Sequence, residues 1–481
     1  MNHKINLIGN KYNYFISKVL IVAISFLIPQ FSLAARVAVT DSGTDFSHEW
    51  LKDKVLINLS EISGNLVDDD RNGKVDDIWG WNFVDDYRKV FFPEHLNVVD
   101  EQMFKIFEVL SRIQAETATE EDLLYWKQNI KDLEGDEKAA IISRLNFYGQ
   151  YAHSTHCSGI ITAISPNSKI LSNRVFPDTP PDTSSESAQL FSKGIEKKKT
   201  GVADIFYKVL AAISNGTFQK VADYIGERKI DVANYSLGMS LQTMARLALS
   251  VRGVKAPTPE QVSEETKRVA AQYEPVGKKW MASASNTLFV VAAGNDSSDN
   301  DKLPVFPAVV RAENAITVAA SKGNSSLASF SNFGINSVDI AAPGVAIRSS
   351  VPSKDHNQLL PMSGTSMATP YVVGVAANIK DLNPKLTPSQ IKLILMSTVD
   401  IKEWLKTKVI SSGVVNPQRA YLAAEKSATM SIDESIAYAR TQVKDLPEVK
   451  STVLKEKLNS ISSANSESLA EIKKEADSLV F

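Results

Sequence analysis

Ser366 stands in Gly364-Thr365-Ser366-Met367-Ala368-Thr369-Pro370, at the mouth of the apolar run Val372 to Ile379. That run reads as a buried helix, which places the Ser hydroxyl among free backbone N–H groups at the positive end of a helix dipole. A nucleophile whose attack creates an oxyanion gains from both. The competing reading is an N-cap, a position that Ser favours. An activated Ser needs a base, and imidazole is the usual one. The chain has six His, at positions 3, 48, 95, 153, 156 and 356, and His3 lies in a basic N-terminal segment.

His153-Ser154-Thr155-His156-Cys157-Ser158-Gly159 precedes the apolar run Ile160 to Ile164, so His153 is expected just ahead of a helix with its ring free to enter a cleft. His-x-x-His spacing admits a metal, but the chain has neither a His-Glu-x-x-His pattern nor a clear third ligand. Asp41-Ser42-Gly43 follows the short apolar stretch Arg36 to Thr40. A carboxylate there can orient an imidazole and stabilise its charged form, though strand-end Asp and Gly are also turn residues. Ala292-Ala293-Gly294-Asn295 ends another apolar run. The Asn amide there can donate to an oxyanion, and Gly-Asn alone is a turn signal.

These residues must be held by something rigid. Short buried strands are expected at Arg36 to Thr40, Lys169 to Val175, Asp231 to Tyr235, Thr287 to Ala293, Ala315 to Ala319 and Val338 to Ile340. Helical stretches such as Ala203 to Ala212 and Gln261 to Ala271 lie between them. Strands alternating with helices give an α/β fold, a doubly wound, mostly parallel sheet with helices on both faces. Sites in such sheets gather at the carboxyl ends of strands.

The composition is that of a soluble globular enzyme: 481 residues, 43% hydrophobic, 22% charged, net charge −2. No basic stripe or motif points to nucleic acid, and Lys197 to Lys199 read as a solvated surface. Residues 1–34 read as a signal peptide, with Lys4, Lys11 and Lys18, the apolar run Val19 to Ile28, and small residues before a cleavage point after Ala34. That run is short for a membrane span, so export to the periplasm or medium is expected, with no stable span after cleavage. Cys157 is the one cysteine, which excludes an internal disulfide. Two regions read as additions: 91–150, a helical insertion with Met103, Phe107 and Leu110 on one face and Leu123, Trp126, Ile130 and Leu133 on another, and 426–481, a charged tail, helical or partly disordered, with Leu454, Leu458 and Ile461.

Taken in order, the Asp, His, Asn and Ser motifs resemble the subtilisin-like serine protease (subtilase) family, over a peptidase domain of residues 35–425. The flanking Phe330-Ser331-Asn332-Phe333-Gly334 and Ala341-Ala342-Pro343-Gly344 agree with it. The resemblance implies an endopeptidase acting on protein or peptide substrates. Ser366 is then the nucleophile, His153 the general base and acid, Asp41 its orienter and Asn295 the oxyanion donor. Tyr235-Ser236-Leu237-Gly238 matches the family's substrate-pairing strand, so Ser236, Leu237 and Gly238 would bind the peptide as an added strand. The chemistry so implied requires no cofactor. A catalytically silent binding module on the same fold is the alternative.

Several positions depart from the family pattern. Ser154 replaces the Gly that usually follows the catalytic His, which suggests a narrower cleft; Cys157 reads as a small buried residue under the His. Trp50 in His48-Glu49-Trp50-Leu51 replaces a carboxylate common in the family's calcium site. Asp68, Asp70 and Asn72, with Gly73, instead follow the first half of an EF-type loop, whose closing Glu is replaced by Trp79. Structural calcium and a solvated acidic turn are both open readings. About six residues separate the expected cleavage point from Asp41, leaving no room for a folding prosegment there, and the 91–150 insertion is expected to shape the substrate groove.

Overall fold

The computed structural model describes residues 34–177, 216–447 and 466–480. The expected leader except Ala34, Lys197 to Lys199, the Ala203 to Ala212 helix, and Leu454, Leu458 and Ile461 lie outside the described residues. In chain order the strands are Arg36–Asp41 (β1), Gly80–Asn82 (β2), Lys169–Arg174 (β3), Val232–Tyr235 (β4), Met239–Ser240 (β5), Leu288–Ala292 (β6), Val305–Phe306 (β7), Ala315–Lys322 (β8), Ser326–Leu327 (β9), Ile340–Pro343 (β10), Ile347–Ser350 (β11), Leu359–Met362 (β12), Asp400–Ile401 (β13) and Gly413–Val414 (β14).

The main sheet runs β13-β14-β10-β8-β6-β4-β1-β3-β2, with β9 on β8. Its pairs are parallel except β13 with β14 and β9 with β8. Helices cover both faces, so strands such as β6 (Leu-Phe-Val-Val-Ala) are buried throughout and read as apolar runs rather than alternating ones. The pleat splits β1 between two cores. Val37 and Val39 join the helices Gly135–Ile164 and Thr365–Leu382; Ala38 joins the helices Thr217–Glu227 and Pro259–Ser283. This is the expected doubly wound, mostly parallel α/β sheet. Strand order reverses at β1, which lies between β3 and β4. Ligand sites form beyond the carboxyl ends of strands at such a switch point, and β1 ends in Asp41.

Two expectations shift. The Val338 to Ile340 strand forms as β10, Ile340–Pro343, because buried Asp339 is drawn into a loop where its carboxylate meets Arg311 and the Thr317 N–H. His153 lies well inside a 30-residue helix, Gly135–Ile164, not just ahead of one. The helix begins that early because Ile141, Leu145 and Tyr148 bury a continuous face and no Pro interrupts it.

In the 91–150 region, helices Glu101–Gln114 and Glu120–Trp126 precede this long helix. Met103, Phe107, Leu110, Trp126 and Ile130 are buried in the same core that receives Val37 and Val39. In the tail, Ile432–Gln442 is a helix opened by a Ser431/Glu434 capping box, and Ser466–Asp477 is a second. Ile472 and Ala476 of the latter also join the main core. Among the described residues, no helix is long and apolar enough to cross a membrane.

Candidate active site

Asp41 reaches the site because β1 ends there, and His153 because the long helix packs beneath the sheet's switch point. The His153 Nδ1 lies 2.8 Å from Asp41 Oδ2 and 2.9 Å from Oδ1. The Ser42 N–H donates to Oδ1 at 2.7 Å and fixes the carboxylate. With Nδ1–H directed at the carboxylate, Nε2 is left as the acceptor. Burial opposes charge on the ring, but Asp41 outweighs it and holds His153 well above the ordinary histidine range. Cys157 lies under the imidazole, buried, with Sγ 4.0 Å from Nδ1 and donating to the Ser366 carbonyl at 3.4 Å. Burial pushes this thiol up, which keeps it neutral.

Ser366 is the second residue of the Thr365–Leu382 helix. Its hydroxyl donates to the Ser236 carbonyl at 3.3 Å, while the Ser236 hydroxyl donates to the Ser366 carbonyl at 2.9 Å. The nucleophile candidate is therefore tied to the residue after β4, and its resting hydroxyl is bonded to the Ser236 carbonyl.

Asn295 follows β6. Its Oδ1 accepts from the Thr365 N–H and from the Thr365 hydroxyl, each at 2.9 Å. A backbone N–H can only donate, so the oxygen of the amide is identified and Nδ2 is left to point elsewhere. The Gly294 N–H in turn donates to Thr365 Oγ1 at 3.2 Å. Thr365 is thus a site residue that the motif reading passed over, although its place beside Ser366 was the available signal.

Residues 236–238 carry no ladder partner among the described residues, and Gly238 is exposed. They link β4, which lies between β1 and β6, to β5, which pairs antiparallel with β7. Ser154 corrects the expectation of a narrower cleft. It is fully buried and bonded to Thr44 Oγ1 at 2.9 Å, so it faces the loop after β1. His156 is equally buried. Its Nε2 donates to the Leu360 carbonyl at 3.0 Å, and burial lowers its pKa to about 3.

Of the three residues expected around a cation, Asp70 converges with Glu61 and Asp77, their carboxylate oxygens within 4.8 Å of one another. Asp68 instead accepts the Asn72 and Gly73 N–H groups of its own loop, and Asn72 donates from Nδ2 to Asp77. Convergent carboxylates suit a hard cation. Asp77 also meets Arg228 at 3.2 Å, which already offsets part of that charge.

A family model described as "Subtilase family" matches residues 34–425. The chain is similar to M-protease of Shouchella clausii (strain KSM-K16), 30% identical over 271 residues, covering 56% of this chain and 54% of that protein. It is similar to Subtilisin Savinase of Lederbergia lenta, 29% identical over 271 residues, covering 56% and 77%. The match thus spans about half the length of M-protease. A crystal structure of a cold adapted subtilisin-like serine proteinase aligns at TM-score 0.41 and 19% identity, covering 79% of this chain and 89% of that one.

Proposed function

The chain belongs to the subtilase family, and we propose that it is an exported serine endopeptidase acting through an acyl-enzyme. The observation that carries this reading is the buried Asp41–His153 pair, together with Asn295, whose amide is oriented by the residue next to Ser366.

In the proposed mechanism a peptide lies along residues 236–238 as an added strand. The Ser366 hydroxyl leaves the Ser236 carbonyl and attacks the scissile carbonyl carbon, and its proton passes to His153 Nε2. Such contacts are commonly long in a free enzyme and tighten with substrate. Asn295 Nδ2 and the Ser366 N–H stabilise the oxyanion. When the tetrahedral intermediate collapses, the C–N bond breaks and the leaving amine takes the proton from His153. Water then gives a proton to His153 as its oxygen bonds to the acyl carbon; the bond from that carbon to Ser366 Oγ breaks, Oγ takes the proton back from His153, and the acid leaves. Asp41 stabilises the imidazolium at each stage.

Cleavage of a peptide library by the purified protein tests this reading. Defined internal cuts that vanish in Ser366→Ala support it, and a silent native protein overturns it. The catalytically silent binding module draws on the resting Ser366–Ser236 bond, and the same library separates the two. Calcium held by Glu61, Asp70 and Asp77 is proposed as structural, outside the chemistry. Export is proposed from the leader-like N-terminal segment.

A further inference from the structure

The sequence presents the 91–150 insertion and the 426–481 tail as separate additions, far apart in the chain. In space they are docked on each other. Gln114 Nε2 donates to the Ala476 and Leu479 carbonyls at 2.9 and 3.2 Å, capping the end of the Ser466–Asp477 helix from a distant part of the chain. Trp126, fully buried, donates from Nε1 to Glu475 at 3.2 Å. Ion pairs surround this contact: Lys131 with Glu471 at 3.1 Å, Lys138 with Glu475 at 2.8 Å, and Glu116 with both Lys322 and Lys473. Ile472 supplies the apolar anchor, 4% exposed.

The docked helix ends beside the site. Asn295, Asp296, Ser297 and Ser329 form one side of an open cleft of about 530 Å³, and Lys473, Lys474, Asp477 and Ser478 form the other. Asp477 spans the junction, accepting from the Ser329 hydroxyl at 2.7 Å. Asn295 is thus part of the same cleft as the end of the docked helix.

We propose that the C-terminal helix is one wall of the substrate cleft, held by the insertion, and that it binds peptide residues adjoining the scissile bond on the Asn295 side. The proposal rests on the peptidase reading. A short ester that occupies only the Ser366 site does not reach the wall, whereas an extended peptide does. The helix is therefore a determinant of substrate binding rather than of the chemical step.

The test uses the full chain with two variants away from the cleft: Lys131→Glu/Lys138→Glu, which reverses the ion pairs, and Ile472→Asp, which puts a carboxylate in the apolar anchor. Hydrogen exchange of the 466–477 amides reports release of the helix, and active-site titration with a small phosphonate normalises the rates. The expected result is faster exchange, a peptide KM raised about tenfold, and ester kcat/KM within about twofold of the native value. Adding Glu471→Lys/Glu475→Lys to the reversed pair restores the peptide KM. Unchanged peptide KM with a released helix overturns the proposal, as do protected amides in both variants, an ester rate that falls together with the peptide rate, or no rescue by the charge swap. A native protein that takes no phosphonate overturns the peptidase reading instead.

Discussion

Thr365 holds Asn295 by two hydrogen bonds to a single oxygen, one from its backbone and one from its side chain, each 2.9 Å long. The residue before the nucleophile candidate thus sets the orientation of the oxyanion donor candidate, 70 positions away in sequence. Asn295→Ala is expected to lower kcat by about 10²–10³, the usual cost of one such donor, with little change in KM. Thr365→Val keeps the backbone bond and loses the hydroxyl, so it should give a smaller loss, again in kcat. A rise in KM at constant kcat in either variant contradicts the assignment.

The Asp41–His153 contact makes a statement about pH. Asp41 raises the His153 pKa above its ordinary 6.5 against the pull of burial. As general base, His153 must be neutral, so the acid limb of kcat/KM should lie above that of a free imidazole. Asp41→Asn removes the raising charge, and the limb should move to lower pH while the rate falls by about 10⁴. The stability sign is separate. A raised folded pKa contributes stability that is complete below the unfolded value and is lost as pH rises through the folded one. Chemical denaturation of native and Asp41→Asn protein across that range measures it.

His156 works in the opposite direction. Burial lowers its pKa from 6.5 to about 3. Between those values the unfolded chain binds a proton that the folded chain does not, so stability falls as pH drops below 6.5, by about 1.4 kcal/mol per unit from this group. Above 6.5 there is no penalty. His156→Gln should flatten this part of the acid limb in a pH series of denaturation midpoints.

Gly159 lets the His153 helix approach the β11–β12 hairpin. A Cβ there would lie 2.2 Å from Ser350 Oγ and 2.3 Å from Ser349 Oγ. Those hydroxyls donate to the Thr155 and His156 carbonyls, which hold the turn after His153. Gly159→Ala should cost about 1–3 kcal/mol of stability, the range for overpacking, and reduce turnover as well. Thermal melting and peptide hydrolysis check both.

Calcium at Glu61, Asp70 and Asp77 should raise the melting midpoint, and chelation should remove that gain in native protein but not in Asp70→Ala. An unchanged midpoint on chelation removes the ion from the account.

The sheet was legible because strands buried on both faces show as apolar runs, as in Leu288–Ala292. The candidate site was legible through short motifs at strand ends and at one helix start, with His153 instead inside a helix. What escaped was non-local. Thr365 matters through an Asn distant in sequence, and Glu61 joins Asp70 and Asp77 only through folding. Ser154 looks like a cleft residue beside His153, yet successive positions on a helix point about 100° apart, and it faces the buried loop. The docking of the tail on the insertion depends on pairs such as Lys138–Glu475, which no local pattern encodes.

The most direct test of the central claim is labelling of the native protein with a peptidyl phosphonate, followed by peptide mapping by mass spectrometry. A single adduct on Ser366, absent in Ser366→Ala and strongly slowed in His153→Ala, is the predicted result. No adduct, or one on another residue with peptide cleavage retained in Ser366→Ala, would contradict it.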